Sequence, residues 1–155
     1  MNKLLKTIFI FLLFFILSSC VFDRIDKRNL MIYNNSNKII YSVISSNDSI
    51  YNLGNFDDFV YKGNYIYTKE GDIKWFGFTG INPKEKTQSD GGTTKWDVYF
   101  ESIDDKKIRL FIIYKDSVEK YGWKEILSKN IYTKKYLFTI EDLEKMKWMI
   151  EYKGK

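Results

Sequence analysis

The sequence predicts a mainly β, α+β domain: a β-sandwich or a curled antiparallel sheet carrying two short helices. Three observations predict it. Apolar and polar residues alternate in several short segments after residue 30, clusters of Asn, Asp, Gly and Ser separate these segments, and only two later stretches change to helical spacing.

Residues 30–33 and 38–44 flank Asn34-Asn35-Ser36-Asn37, and a turn-rich tetrapeptide between two alternating runs predicts a β-hairpin. Further strands are expected at 49–53, 59–62, 65–68 and 73–78, the last two joined around Gly71. Residues 79–94 hold Gly80, Asn82, Pro83, Asp90, Gly91 and Gly92 with almost no apolar content, and read as the longest loop. Trp96, Val98 and Phe100 alternate with Asp97, Tyr99 and Glu101, which predicts a strand with one wet face. Residues 108–114 are apolar at nearly every position, as in a central strand buried on both sides. After Tyr114 the period changes. Asp116 and Glu119 sit at capping-box spacing ahead of Val118, Tyr121, Trp123, Ile126 and Leu127, which predicts a helix of about three turns ending near Asn130. Gly122 inside it costs about 1 kcal/mol relative to alanine. Residues 131–138 return to a strand. Thr139 and Asp142 then form a second capping box, with Ile140, Leu143 and Met146 at helical spacing and Lys145 and Lys147 late in the turn, where the helix dipole favours them. Residues 148–152 close the domain as a last strand.

The chain has 155 residues, 25 basic and 20 acidic, with one proline, one cysteine and neither histidine nor alanine. The absence of histidine excludes Ser-His-Asp and Cys-His nucleophiles, imidazole metal ligands and imidazole pH switches. A lone cysteine neither closes a disulfide within the chain nor builds a thiolate zinc site. No metal or other cofactor is expected.

The N-terminus assigns that cysteine a different role. Lys3 and Lys6 precede ten unbroken apolar residues, 8–17, which end at Leu17-Ser18-Ser19-Cys20. Ten residues are too few to span a bilayer but fit the apolar region of a signal peptide. Leu17-Ser18-Ser19-Cys20 resembles the lipobox of bacterial lipoproteins, which implies cleavage before Cys20, lipidation of its thiol and acylation of the new amino group. Residues 1–19 are then signal peptide, 20–29 a lipidated tether and 30–155 a single domain. Two or three acyl chains hold a protein on a membrane where one is marginal. Cleavage removes two lysines and leaves 136 residues with 23 basic and 20 acidic side chains, a formal charge of +3. So slight a basic excess predicts no nucleic-acid partner.

The stretches 107–114, 116–123, 135–139 with Asp142-Leu143, and 148–152 together resemble the ending of small lipoproteins of unknown function common in Bacteroidota, and residues 30–36 resemble their beginning. The resemblance implies a lipobox-bearing envelope protein, with the outer membrane as its expected location. It assigns no catalytic residue.

Candidate chemistry is sparse. Asp57-Asp58, Asp104-Asp105 and Asp90 are carboxylates in loop or turn settings, but a glycosidase needs two that face one another at about 5–10 Å, one of them kept protonated by apolar surroundings. Adjacent strand residues point to opposite faces instead. Tyr61, Tyr65, Tyr67, Trp75, Phe76, Phe78 and Trp96 surround the long loop; of these, Tyr67, Trp75, Phe78 and Trp96 are the candidate ligand contacts, able to stack on sugars or peptides. Asp48-Ser49-Ile50 and Asp116-Ser117-Val118 resemble the acceptor motif for O-linked glycans in that phylum, with Ser49 and Ser117 as the modified residues. The resulting expectation is a lipid-anchored, non-enzymatic binding or accessory module. Its partners are the membrane, through the lipid on Cys20, and an envelope protein or glycan. A carboxylate-dependent envelope hydrolase is the alternative.

Overall fold

The computed structural model describes residues 26, 28–51, 57, 59–63, 65–69, 71, 73–75, 78, 80–89 and 95–154. Cys20, Asp58, Phe76, Asp90 and the side chain of Trp75 lie outside the described residues. In chain order the elements are β1 (Met31–Asn34), β2 (Ile40–Ser45), β3 (Phe59–Lys62), β4 (Tyr65–Thr68), β5 (Ile73–Trp75), β6 (Gly80–Ile81), β7 (Lys86–Gln88), α1 (Trp96–Glu101), β8 (Ile108–Tyr114), α2 (Lys115–Ser128), β9 (Lys134–Phe138), α3 (Ile140–Lys145) and β10 (Met149–Tyr152). The fold is mainly β, as the alternation predicts, with three helices among the described residues where the sequence suggests two.

A central sheet of order β6-β2-β8-β9 organises the domain. Its strand β8 is the apolar run 108–114, and the first six of its residues are buried. Because side chains alternate along a strand, β8 feeds two cores. Ile108, Leu110 and Ile112 pack with Leu30, Ile32, Trp96, Phe100, Leu143, Trp148, Ile150 and Tyr152 on one side. Phe111 and Ile113 pack with Tyr41, Val43, Ile50, Ile66, Phe78, Trp123, Ile126 and Leu127 on the other. The first core lies under α1, α3 and the sheet β10-β1-β7; the second lies under α2 and the sheet β3-β4-β5. The central position expected for 108–114 is thus borne out.

The hairpin expected at 30–44 does not form. β1 pairs parallel with β10 and antiparallel with β7, whereas β2 pairs antiparallel with β6 and β8. The tetrapeptide 34–37 carries the chain from one sheet across to the other. Asn34 is fully buried there: its Nδ2 donates to the carbonyls of Lys38 (2.8 Å) and Ile81 (2.9 Å), and its Oδ1 accepts from the Ser36 amide (3.1 Å) and hydroxyl (2.6 Å). A hairpin and a crossover both satisfy the alternation, since Ile32 and Ile40 reach the same core either way.

Four further expectations are corrected. Residues 96–101 are helix α1, not a strand: Trp96 and Phe100 are buried one turn apart while Val98 is 52% exposed. The loop 79–94 contains β6 and β7, which pair with β2 and β1 through backbone bonds that need no apolar side chains. The box Asp116–Glu119 does not cap α2, whose N-cap is Tyr114; Asp116 instead accepts from Lys38 Nζ at 2.5 Å. The second box forms as expected, with the Thr139 side chain accepting from the Asp142 amide and the Asp142 carboxylate from the Thr139 amide. Helix α2 is interrupted at Gly122 (φ 72°, ψ 158°). Residues 49 and 50, expected to open a strand, form a bend whose Ile50 amide donates to Asn130 Oδ1 at 2.8 Å.

Candidate functional site

The β3-β4-β5 sheet turns one face to the second core and the other outward. Phe59, Tyr61 and Ile66 face inward, and the register Val60↔Tyr67 and Lys62↔Tyr65 puts those four residues together on the outer face. Val60 is 50% and Tyr65 44% exposed, and the Tyr65 and Tyr67 rings lie 6.2 Å apart at 43°. The outer face is therefore a short aromatic strip with one ammonium in register beside it. Its geometry follows from the i, i+2 spacing of tyrosines on one strand, a signal visible in the sequence for Tyr67 and equally for Tyr65.

Other aromatic candidates have different surroundings. Phe78 is buried and stacks on Trp123, with ring centroids 3.7 Å apart and planes 18° apart. Trp96 is buried among Tyr99, Phe100 and Trp148, and its indole N–H donates to the Arg28 carbonyl at 2.8 Å. Both rings are core packing and present no free face to a ligand. Ser49 is exposed, whereas Ser117 sits half-buried in the first turn of α2.

Of the candidate carboxylates among the described residues, Asp57 pairs with Lys124 and Asp105 with Arg109. Beside the second core, Arg109 ends the apolar row of β8 with its side chain almost wholly buried. Its guanidinium forks onto Asp105 (2.8 and 2.6 Å), reaches Asp48 at 3.3 Å, and donates to the carbonyls of Lys107 (2.7 Å) and Ser46 (3.3 Å). Lys135 adds a contact to Asp48 at 2.9 Å. Arg109, Asp105, Asp48 and Ser46, with Asn47, Ser102, Ile103 and Asp104, line an open cleft of about 450 Å³. The hydrogen bond from Arg109 holds the Asp105 carboxyl below its usual range, and Lys135 followed by Arg109 does the same for Asp48. Asp57 is lowered by its bond to Lys124. Asp48, Asp57 and Asp105 are thus biased toward the anion, the opposite of what a glycosidase's acid requires. Arg109 staples residues 46–48 to the turn before β8.

A second ion cluster gathers the N-terminal segment. Arg28 donates to Asp26 from Nε (2.9 Å) and Nη2 (2.6 Å), forks onto Asp97 (3.0 and 2.7 Å), and lies 3.5 Å from Glu144. Its guanidinium is 5.3 Å from the Trp148 ring centroid. Asp26 also accepts from the Trp96 amide at 3.0 Å, satisfying an N–H at the start of α1. These bonds, led by that from Arg28, hold the Asp26 carboxyl well below the usual carboxylate range. Asp26 and Arg28, expected to belong to a tether, are therefore held against the domain. The sequence carries no local signal for this, because the partners lie 69 and 116 residues away.

Among the described residues no group of three or more His, Cys, Asp or Glu side chains could hold a metal ion, and no helix is long and apolar enough to cross a membrane. Compared with protein-family models, curated proteins and solved structures, the chain matches none.

Proposed function

We propose that this chain is a lipid-anchored cell-envelope module that binds carbohydrate without a catalytic step of its own. Leu17-Ser18-Ser19-Cys20 supports the anchor. The binding reading is carried by one observation: exposed Tyr65 and half-buried Tyr67 set neighbouring rings on the outer face of β4, beside Val60 and in register with Lys62. Ring faces stack on the C–H faces of sugars, and an adjacent ammonium favours acidic sugars among them.

The test has two arms. Cys20→Ala should shift the protein from the membrane fraction to the soluble one, and unchanged membrane retention refutes the anchor. Retention on columns of acidic envelope polysaccharide should fall about 3- to 10-fold for each of Tyr65→Ala and Tyr67→Ala, the effect of losing one ring contact. Retention unchanged by both substitutions in natively folded protein refutes the contact face.

A further inference from the structure

The cluster around Arg28 holds a segment that follows the lipobox by only a few residues. We propose that it is the mechanical root of the anchor: it sets the domain with α1 and α3 toward the lipid surface and turns the outer face of β3-β4-β5 away from it. The proposal rests on Cys20 carrying the lipid.

Both the side chains and the main chain of this segment are held. Arg28 grips Asp97 on α1 with a planar two-bond fork and reaches Glu144 on α3, while its carbonyl accepts from the Trp96 indole and the Asp26 carboxylate accepts from the Trp96 amide. A bidentate guanidinium fork is directional, so it fixes an angle as well as a distance. The Arg28 and Asp26 side chains are only 26% and 13% exposed, whereas Asp97 is 61% exposed, so the shielded part of the grip is the pair of bonds to Trp96.

Chain length does the rest. Six residues separate Cys20 from Asp26, a reach of about 20 Å when fully extended. Without the cluster the chain would run free as far as buried Leu30, ten residues from Cys20, for a reach of about 35 Å. That longer leash is comparable with the diameter of a domain of this size, about 35 Å, and would let it roll. The shorter one confines the lipid surface to the side where the segment leaves the fold. The central sheet separates the two sides: Trp96, Phe100, Leu143 and Trp148 pack beneath it with the root, and Ile66 of β4 packs on its opposite face. The Tyr65–Tyr67 strip then points into the space beyond the membrane, where a polymer can reach it.

Energy transfer on full-length acylated protein in phosphatidylethanolamine–phosphatidylglycerol vesicles with acceptor-labelled headgroups tests this. Lipidation takes the only native thiol, so Val98→Cys on α1 and Tyr65→Cys on β4 each offer one site for a donor dye. Transfer should be several-fold more efficient from position 98 than from 65, and Arg28→Ala should shrink that difference. Asp97→Asn, which removes one exposed carboxylate, serves as the milder second variant and should shrink it in part. Equal transfer from the two positions overturns the proposal, as does a difference that survives both substitutions unchanged. Protein that does not float with the vesicles overturns the anchor and the proposal together, whereas protein that floats with equal transfer overturns the orientation alone.

Discussion

Replacing Asn34 by alanine tests the crossover between the two sheets. The side chain makes four hydrogen bonds at a fully buried position, joining the end of β1 to residues that lead into β2 and to β6. The Lys38 carbonyl keeps a second donor in the Ser36 hydroxyl at 3.1 Å, so truncation chiefly strips partners from the Ile81 carbonyl and the Ser36 amide. A net 0.5–1.5 kcal/mol per lost bond, with the larger penalty for groups left buried and unpaired, gives about 3 kcal/mol in all. Urea unfolding of residues 20–155 carrying Cys20→Ser, followed by circular dichroism, measures it. At a slope of about 2 kcal/mol per molar the midpoint should drop by about 1.5 M. Asn34→Asp should be at least as damaging, because it turns a carboxylate oxygen toward two carbonyls. An exposed hairpin turn would tolerate either change within about 0.5 kcal/mol. A midpoint shift below about 0.3 M for Asn34→Ala would therefore refute the crossover.

Gly122→Ala should destabilise by about 1–3 kcal/mol in the same assay, because φ 72°, ψ 158° is backbone that essentially only glycine adopts, although a new Cβ would meet nothing within 4 Å. Stabilisation by about 1 kcal/mol, as in a continuous helix, would refute the break. Tyr152→Phe should cost about 1 kcal/mol by removing the 2.8 Å bond to the Tyr114 hydroxyl, and a midpoint identical to the parent would count against that bond. For pH, a carboxyl lowered in the folded state contributes stability that is complete above its unfolded value near 3.8 and lost as pH falls through its folded value. Stability should therefore decline below about pH 4, and Asp26→Asn should flatten that decline; an unaltered acid slope would remove Asp26 from the account.

Legibility in the sequence tracks how local the information is. The central strand is plain at 108–114 because its run is apolar on both faces, and the Thr139–Asp142 box is plain because both partners lie within one turn. Helix α1 is ambiguous for a physical reason. Trp96, Val98 and Phe100 match a strand, but Trp96, Tyr99, Phe100 and Ile103 also match the i, i+3, i+4, i+7 stripe of a helix, and burial selects the second pattern. Strand β7, Lys86-Thr87-Gln88, has no apolar side chain to announce it and is made by pairing with β1. In the candidate site, Tyr67 is marked by its spacing, whereas Phe78 and Trp96 carry the same aromatic signal into the core, where nothing local says which face they take. Arg28 and Arg109 look like ordinary surface charges until the fold delivers their carboxylates.

The parallel pairing of β1 with β10 has a consequence for the order in which the molecule can be made. Met31 lies opposite Met149, so the first strand waits through 118 residues for its neighbour. A contact of that sequence separation closes late, since the entropy of joining distant chain segments must be met before the pairing repays it. A chain delivered from its N-terminus presents β1 early and its neighbour β10 late. Until Tyr152 arrives, Leu30 and Ile32 have no completed core to enter, which makes a tail shortened before Met149 a folding defect and not merely the loss of an edge.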